Sequence, residues 1–210
     1  MEYTTAPFRV EISAHHCHVT QEVLDRLFGP GMDLDAHFKR PLSQPGQYVS
    51  DIRLDCEVKG RDGQIRRIEG LSILGPVRKY NQIEISLTEA FALRIDAPVR
   101  RSGDVAGSVP CTLIYVDPVR RTDVAKVELP CGIVAQKRHI HLDHQQAEQL
   151  GVKDGQLVSV AVASPVGRDI IFQDVLIRED PRFDLSMHLD TDEGNAVGAR
   201  GTTTGRIVKL

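Results

Sequence analysis

The sequence lacks three features that would each indicate a class of protein: an excess of basic residues, a long apolar run and a closely spaced cysteine pair. Its 26 lysines and arginines are outnumbered by 29 acidic residues, for a net charge of -3. Nucleic-acid binding needs basic residues that neutralise phosphates, so general nucleic-acid affinity is excluded, although local arginines can hold a small phosphorylated ligand. No apolar run approaches the length that crosses a bilayer, so we expect no membrane segment.

The four cysteines are scattered along the chain, with no CxxC pair. The first residues carry Glu2 and lack the apolar core of a signal peptide. Without an export signal, scattered cysteines are expected to be reduced thiols rather than a disulfide framework. We therefore expect a cytoplasmic protein, or one enclosed in a compartment within a bacterial-type cytoplasm.

Most of the chain is typical of short strands separated by turns. Alternating or β-branched segments are FRVEIS, SDIRLDCEV, QIEIS, CTLIYV, KVELP, LVSVAVA and DIIFQDVLIRE. Glycine-containing turn signals lie between them, and this spacing favours compact barrels or sandwiches over alternating strands and helices. Two stretches are predicted as helices: QEVLDRLFG with Thr20 as its N-cap, and HQQAEQLGV with Asp143 as its N-cap and Gly151 as its terminator.

Two histidine pairs with the same surroundings form an internal repeat. A strand leads into His16 and His18, and a helix cap follows two residues later; the same order recurs at His139, His141 and the Asp143 cap. Residues i and i+2 of a strand point to one face, so each pair presents two imidazoles side by side. Imidazole is a ligand for Zn, Cu, Fe or Ni, and tetrahedral Zn²⁺ easily takes two ligands from one strand. The repeat predicts two small β domains that share a metal-binding site.

Two histidines do not fill a zinc shell, and two further residues are candidates. His188, in DLSMHLDTDE, lies on an alternating strand and can add a third imidazole. Glu84, in NQIEIS, points away from the neighbouring isoleucines, so it faces either solvent or a cation. The strand pattern alone leaves both interpretations open: a satisfied histidine and a solvated glutamate, or two metal ligands.

Seven blocks of the sequence together resemble the phosphate propanoyltransferases of the PduL family, which are acyltransferases associated with bacterial microcompartments. In family order, the blocks are ISAHHCHVT, LSQPGQY, ILGPVRKYNQIEIS, APVRRSGDVAGS, RHIHLD, GVKDG and MHLDTDEGNAVG. Any one block is weak, but the ordered set is specific and covers most of the chain within residues 10–205.

The resemblance implies a mainly β fold: two small β-barrel domains capped by short α-helices, with two zinc ions at their interface. It implies that one zinc ion is held by His16, His18 and Glu84, and the other by His139, His141 and His188. Arg78, six residues before Glu84, matches the arginine that binds phosphate. We group residues 1–56 with 137–210 as the first barrel and assign residues 57–136 to the second.

The sequence departs from the family pattern at three positions. His15 stands where the arginine of the first histidine block belongs, whereas the second block keeps Arg138. Arg94 stands where glycine is usual, and Arg101 where an acid is frequent. None of these changes removes an implied zinc ligand, so we expect activity to survive. Arg100 and Arg138 are further candidates for substrate binding.

The resemblance implies a phosphate acyltransferase that interconverts acyl-CoA plus phosphate with acyl phosphate plus CoA. Three protein ligands leave positions open on each metal, which is typical of catalytic zinc. Cys17 lies on the opposite strand face from the ligands, so we expect it to pack and the acyl group to be transferred directly. The family also implies a homodimer and microcompartment shell or core enzymes as partners, although MEYTTAPF contains no amphipathic targeting helix.

Three other functions would use similar ligands. A cupin-type metal oxygenase also combines HxH with a glutamate and a histidine, but its glutamate follows the pair closely and a second pair is unexpected. A zinc metallohydrolase acting on thioesters or acyl phosphates would use water in place of phosphate. A non-catalytic zinc-binding barrel would bind zinc without turnover.

Overall fold

The computed structural model describes residues 2–201 and 203–209. Strands account for 47% of the chain and helices for 15%, which confirms a mainly β fold. In the described residues the strands are β1 (Glu2–Tyr3), β2 (Phe8–Ser13), β3 (His16–His18), β4 (Phe38–Pro41), β5 (Tyr48–Lys59), β6 (Ile65–Gly75), β7 (Gln82–Ile85), β8 (Val99–Arg100), β9 (Val109–Val116), β10 (Asp123–Gln136), β11 (His139–Leu142), β12 (Leu157–Ala163), β13 (Ile170–Glu179), β14 (Ser186–Asp190) and β15 (Thr204–Lys209). The α-helices are α1 (Gln21–Phe28), α2 (Leu87–Leu93), α3 (His144–Leu150) and α4 (Thr191–Val197), and a 3₁₀ turn covers Asp35–His37.

The chain divides into two compact units. One combines Met1–Ala14 with Lys137–Leu210, and the other is His15–Gln136. Within the residues described, each unit contains one closed six-stranded barrel, which confirms the predicted pair of small barrels. Residues 15–56, which the sequence analysis grouped with the chain ends, instead pack with residues 57–136. The reason is that β5 runs unbroken through position 56 and pairs there with both β6 and β9.

In the unit that contains both chain ends, the barrel runs in the order β2, β15, β12, β13, β11 and β14, and β14 closes it on β2. β1 adds to β15 outside this ring. The barrel interior is aliphatic, with Ile140, Leu142, Val160, Ile177 and Leu189 all fully buried. Burial of these side chains is the main source of stability for the unit.

In the other unit, the barrel runs in the order β3, β6, β5, β9, β10 and β7, and β7 closes it on β3. β4 and β8 extend it from β5 and β10. Its separate core includes Leu54, Leu71, Ile73, Leu113 and Ile133, none of which is exposed. Each barrel is therefore stabilised by a core of its own.

The helices α1 and α3 begin directly after the predicted N-caps. Helix α1 ends one residue before Gly29, the last residue of the predicted segment, and α3 ends directly before its predicted terminator, Gly151. The Thr20 hydroxyl accepts a hydrogen bond from the backbone of Val23, and the Asp143 carboxylate accepts one from Gln146. Gly151 ends α3 with φ of 66°, a left-handed conformation that glycine adopts without strain. Local sequence signals therefore located both helices correctly.

The helices α2 and α4 were missed by the sequence analysis. Each has only seven residues, too few for a clear apolar periodicity. Both nevertheless begin with a capping box, Ser86 with Glu89 and Asp190 with Glu193, a motif that can be read from the sequence. None of the described helices is long and apolar enough to span a membrane.

Candidate metal centres

The first cluster consists of His16, His18 and Glu84. Strand β3 lies between β6, to which it is parallel, and β7, to which it is antiparallel. This register sets His16 directly opposite Glu84, so the three side chains come from two adjacent strands. One ligand atom from each lies within 4.8 Å of the others. His16 Nε2 is 3.3 Å from Glu84 Oε2, and His18 Nε2 is 3.9 Å from Glu84 Oε1.

Glu84 is buried, with 3% of its surface exposed, so the solvated alternative is wrong. The buried Gln82 amide donates a hydrogen bond of 2.5 Å to Oε1, whereas Oε2 accepts none from the residues described. A buried carboxylate is costly unless a cation and hydrogen bonds compensate for its lost hydration. A metal ion bound between Glu84 and the two imidazoles would supply that cation.

The outer contacts of the first cluster orient its ligands. His18 Nδ1 lies 3.2 Å from the carbonyl oxygen of Leu74, to which it donates when protonated there, leaving Nε2 for a metal. Gln82 Oε1 accepts from the backbone N–H of Gly103 at 2.7 Å, which fixes the direction of the amide that holds Glu84. The His18 and Glu84 side chains are thus both held in place by protein contacts.

The second cluster consists of His139, His141 and His188. Strand β11 is parallel to β13 and antiparallel to β14, which sets His139 opposite His188. The ring centroids of the three imidazoles are 4.6, 4.7 and 5.1 Å apart. His139 Nδ1 lies 2.9 Å from the carbonyl oxygen of Lys137, and Ser186 Oγ lies 3.0 Å from His188 Nε2.

The two clusters share one plan, and both suit zinc. In each, a short HxH strand lies parallel to one neighbour and antiparallel to the strand that supplies the third ligand. The third ligand is a carboxylate in the first cluster and an imidazole in the second. Three nitrogen or oxygen ligands with a free fourth position are the donor set of catalytic zinc.

The backbone of Arg78 is hydrogen-bonded to the chain directly after the first histidine pair. Its backbone N–H donates a 2.9 Å hydrogen bond to the carbonyl of Val19, the residue after His18. Its side-chain Nε is buried and makes no hydrogen bond within residues 2–201 and 203–209. A buried cationic donor without an acceptor is unfavourable, so an anionic ligand would be stabilised there.

The other two arginines are already engaged by protein groups. Arg100 pairs with Asp104 at 2.9 Å. Arg138 donates from Nε to the carbonyl of Gln173 and from a terminal nitrogen to Glu193, each at 2.7 Å. Their assignment to substrate stays a prediction.

Gln82 and Ser186 flank the two clusters but were not among the site residues predicted from the sequence. Gln82 and Ser186 each lie two residues before the third ligand of their cluster, and each contacts that ligand. Period-2 alternation along β7 and β14 could have identified them, because residues i and i+2 share a face.

Arg178 was also missed. It lies opposite His141 in the pairing of β11 with β13. Its guanidinium is 5.7 Å from the centroid of the Phe183 ring, which itself stacks on His141 at 3.9 Å. The structure therefore brings a positive charge to the second cluster, and no motif in the sequence analysis indicated it.

The capping glutamates of α2 and α4 lie in contrasting environments. Burial raises the pKa of Glu89, but hydrogen bonds from His15 and the Ser86 backbone outweigh it, so that pKa is lowered. For Glu193 burial is dominant, and its pKa is raised despite the hydrogen bond from Arg138. Both carboxyl groups contact the residue that directly precedes an HxH pair.

Comparison with known proteins agrees with the resemblance found in the sequence. The family model described as "Phosphate propanoyltransferase" matches residues 9–200. A phosphate propanoyltransferase of Listeria monocytogenes is 42% identical over 200 residues, covering 95% of this chain and 86% of its own length. One of Leptotrichia buccalis is 38% identical, covering 96% and 88%. One of Thermotoga maritima is 41% identical, covering 89% and 82%.

Proposed function

Because the chain belongs to the phosphate propanoyltransferase family, we propose that this phosphate acyltransferase transfers its acyl group directly between coenzyme A and phosphate, with one zinc ion in each cluster. One ion would be held by His16, His18 and Glu84, and the other by His139, His141 and His188. The homodimer and the association with a microcompartment stay predictions.

The observation that carries the proposal is the buried Arg78 Nε, which makes no hydrogen bond in the described chain although its backbone is bonded next to His18. Arginine presents a planar fork of donors that matches two phosphate oxygens at once. A water molecule would satisfy one donor but not the charge. This arrangement favours phosphate over water as the second substrate, and so favours an acyltransferase over a hydrolase.

When bound, zinc would supply a Lewis acid that polarises the thioester carbonyl or accepts the departing thiolate. The protein groups contribute orientation: Arg78 holds the phosphate, and Gln82 holds the Glu84 carboxylate. Positioning both reactants in one site is worth up to about 7–11 kcal/mol of the barrier. These contributions require no covalent intermediate on the protein.

The proposal predicts about two zinc ions per chain and phosphate-dependent release of CoA from acetyl-CoA or propanoyl-CoA. Elemental analysis should be made on wild-type protein that has never been exposed to chelator. The His188→Ala variant, analysed in parallel, should retain about one zinc ion per chain. His144→Ala is the matched control, because His144 is exposed and belongs to neither cluster.

Three results would contradict the proposal. Absence of any transition metal in the wild-type protein would remove the zinc sites. Thioester cleavage at the same rate without phosphate would indicate a metallohydrolase. Full zinc content with no turnover of any acyl-CoA would indicate a non-catalytic zinc-binding barrel.

A further inference from the structure

Beside each cluster, one glutamate uses its two carboxylate oxygens for two different contacts, and the pattern is the same in both units. In α2, Glu89 Oε2 accepts from the backbone N–H of Ser86 at 2.8 Å, while Oε1 lies 2.5 Å from His15 Nδ1. A carboxylate can only accept, so Nδ1 of His15 carries the proton of this hydrogen bond. One oxygen of Glu89 therefore caps the helix, and the other holds the residue directly before His16.

The second unit repeats this arrangement with an arginine in place of the histidine. In α4, Glu193 Oε2 accepts from the backbone N–H of Asp190 at 3.3 Å, while Oε1 accepts from Arg138 at 2.7 Å. Arg138 directly precedes His139. His15 and Arg138 thus occupy equivalent positions and donate to the equivalent oxygen of equivalent carboxylates.

The arrangement ties together the two strands that supply metal ligands. Ser86 lies two residues after Glu84, and His15 lies one residue before His16. Glu89 therefore bonds to the chain just beyond the third ligand and just before the first. A contact of this kind limits sliding and twisting of β3 relative to β7, and so limits movement of the ligands they carry.

We propose that His15 is a positioning residue for the first metal site, acting through Glu89 as Arg138 acts through Glu193 for the second. The inference rests on the proposed metal sites and adds residues outside the ligand sets. It also gives His15 a role although an arginine is usual there: both side chains provide an N–H donor that reaches the capping carboxylate. Removal of such an outer contact typically lowers metal affinity about 10–100-fold.

The test is a zinc competition titration of the whole chain against a chromophoric chelator. In wild-type protein, two equivalents should resist the chelator. In His15→Ala one equivalent should weaken by about 10–100-fold, in Arg138→Ala the other should weaken, and in the double variant both should weaken. His15→Arg should retain wild-type zinc affinity, because the arginine provides the same kind of donor as Arg138 in the second unit. Glu89→Gln should resemble His15→Ala, because it leaves one acceptor oxygen for two donors.

His37→Ala is the matched control. It also removes a histidine–carboxylate pair from the same unit, His37 with Asp51 at 2.9 Å, but at a partly exposed position outside the ligand strands. It should leave both zinc affinities unchanged. Circular dichroism should show that each variant is folded. If His15→Ala does not fold, Glu89→Gln, which changes few atoms, tests the same contact in its place.

The outcomes separate this inference from the proposed function. If wild-type protein binds two zinc ions and neither His15→Ala nor Glu89→Gln weakens one, the positioning role is wrong and the metal sites stand. If His37→Ala weakens zinc equally, the effect is general destabilisation and the inference again fails. If wild-type protein binds no zinc, the proposed metal sites and this inference fail together.

Discussion

Glu84 distinguishes the first cluster from the second at the scale of single residues. A carboxylate buried between two imidazoles brings a negative charge to the first cluster, whereas the second contains three imidazoles. An ion bound in the first cluster would therefore keep a lower net positive charge than the same ion in the second. The two sites are expected to differ in their affinity for anions, which makes a cation such as Arg78 most useful at the first.

Arg78 and Glu84 should fail differently when substituted. Arg78→Ala should keep both zinc ions and lose about 100-fold or more in kcat/KM for phosphate, because a donor to the transferring anion is removed. Arg78→Lys should retain only part of the wild-type kcat/KM for phosphate, because a point charge does not reproduce the guanidinium fork. Glu84→Ala should instead retain about one zinc ion, since a ligand rather than a substrate contact is lost.

Metal content and phosphate kinetics measured on the same preparations distinguish the two roles. Lys79→Ala is the matched control, because it removes an exposed positive charge at the adjacent position. If Arg78→Ala shows wild-type phosphate kinetics, the phosphate site lies elsewhere, and Arg100 and Arg138 become the next candidates.

At the scale of elements, the close packing of β5 on β6 leaves no room for a side chain at Gly75. Gly75 is opposite Tyr48 in the strand pairing, and an added Cβ would lie 2.1 Å from Cζ of that ring. The ring is held in place because it is buried and its hydroxyl donates a hydrogen bond to Asp35. The preceding residue, Leu74, supplies the carbonyl that faces His18 Nδ1. Packing at this strand end therefore also supports His18, a candidate metal ligand.

Gly75→Ala should lower the free energy of unfolding by about 1–3 kcal/mol, because the Tyr48 ring must move out of a packed position. Gly201→Ala is the control, since, its chain neighbours aside, no atom of the described residues lies within 4 Å of the Cβ it would add. Urea unfolding followed by circular dichroism measures both. Equal urea unfolding midpoints for Gly75→Ala, Gly201→Ala and the wild-type protein would contradict this, because they would show that the Tyr48 ring can move without loss of stability.

Local sequence signals predicted some elements well, and the reasons for success and failure are physical. FRVEIS and LVSVAVA match β2 and β12, because successive side chains of a strand point to opposite faces and the residue types alternate accordingly. The burial of Glu84 could not be predicted, because it depends on β3 pairing with β7 across more than 60 residues of chain. The buried environment of Arg78 is equally non-local.

At the scale of the whole molecule, the unit boundary shows what an HxH repeat reveals and what it leaves open. The repeat correctly indicated two related barrels, since each cluster lies within one unit. Its spacing did not reveal that the chain passes from one unit to the other between Ala14 and His15, directly before the first histidine pair. That crossing leaves no turn signal, because β2 and β3 are separated by only two residues.

The environment of Cys17 bears on whether the acyl group is transferred directly or through the protein. Cys17 is the only cysteine within an HxH pair, but it lies fully buried in the barrel core, where burial, and next the charge of Cys56, raise the pKa of its thiol far above the usual range. A thiol that stays protonated is a poor nucleophile, so the acyl group should pass directly from CoA to phosphate. Initial rates measured at varied acyl-CoA and phosphate concentrations should give intersecting lines in double-reciprocal plots. Such lines are expected when both substrates are bound before either product leaves. Cys17→Ala should retain substantial activity, with Cys131→Ala as a control outside the core. Parallel lines, or an acylated peptide detected by mass spectrometry, would show that transfer proceeds through a covalent intermediate.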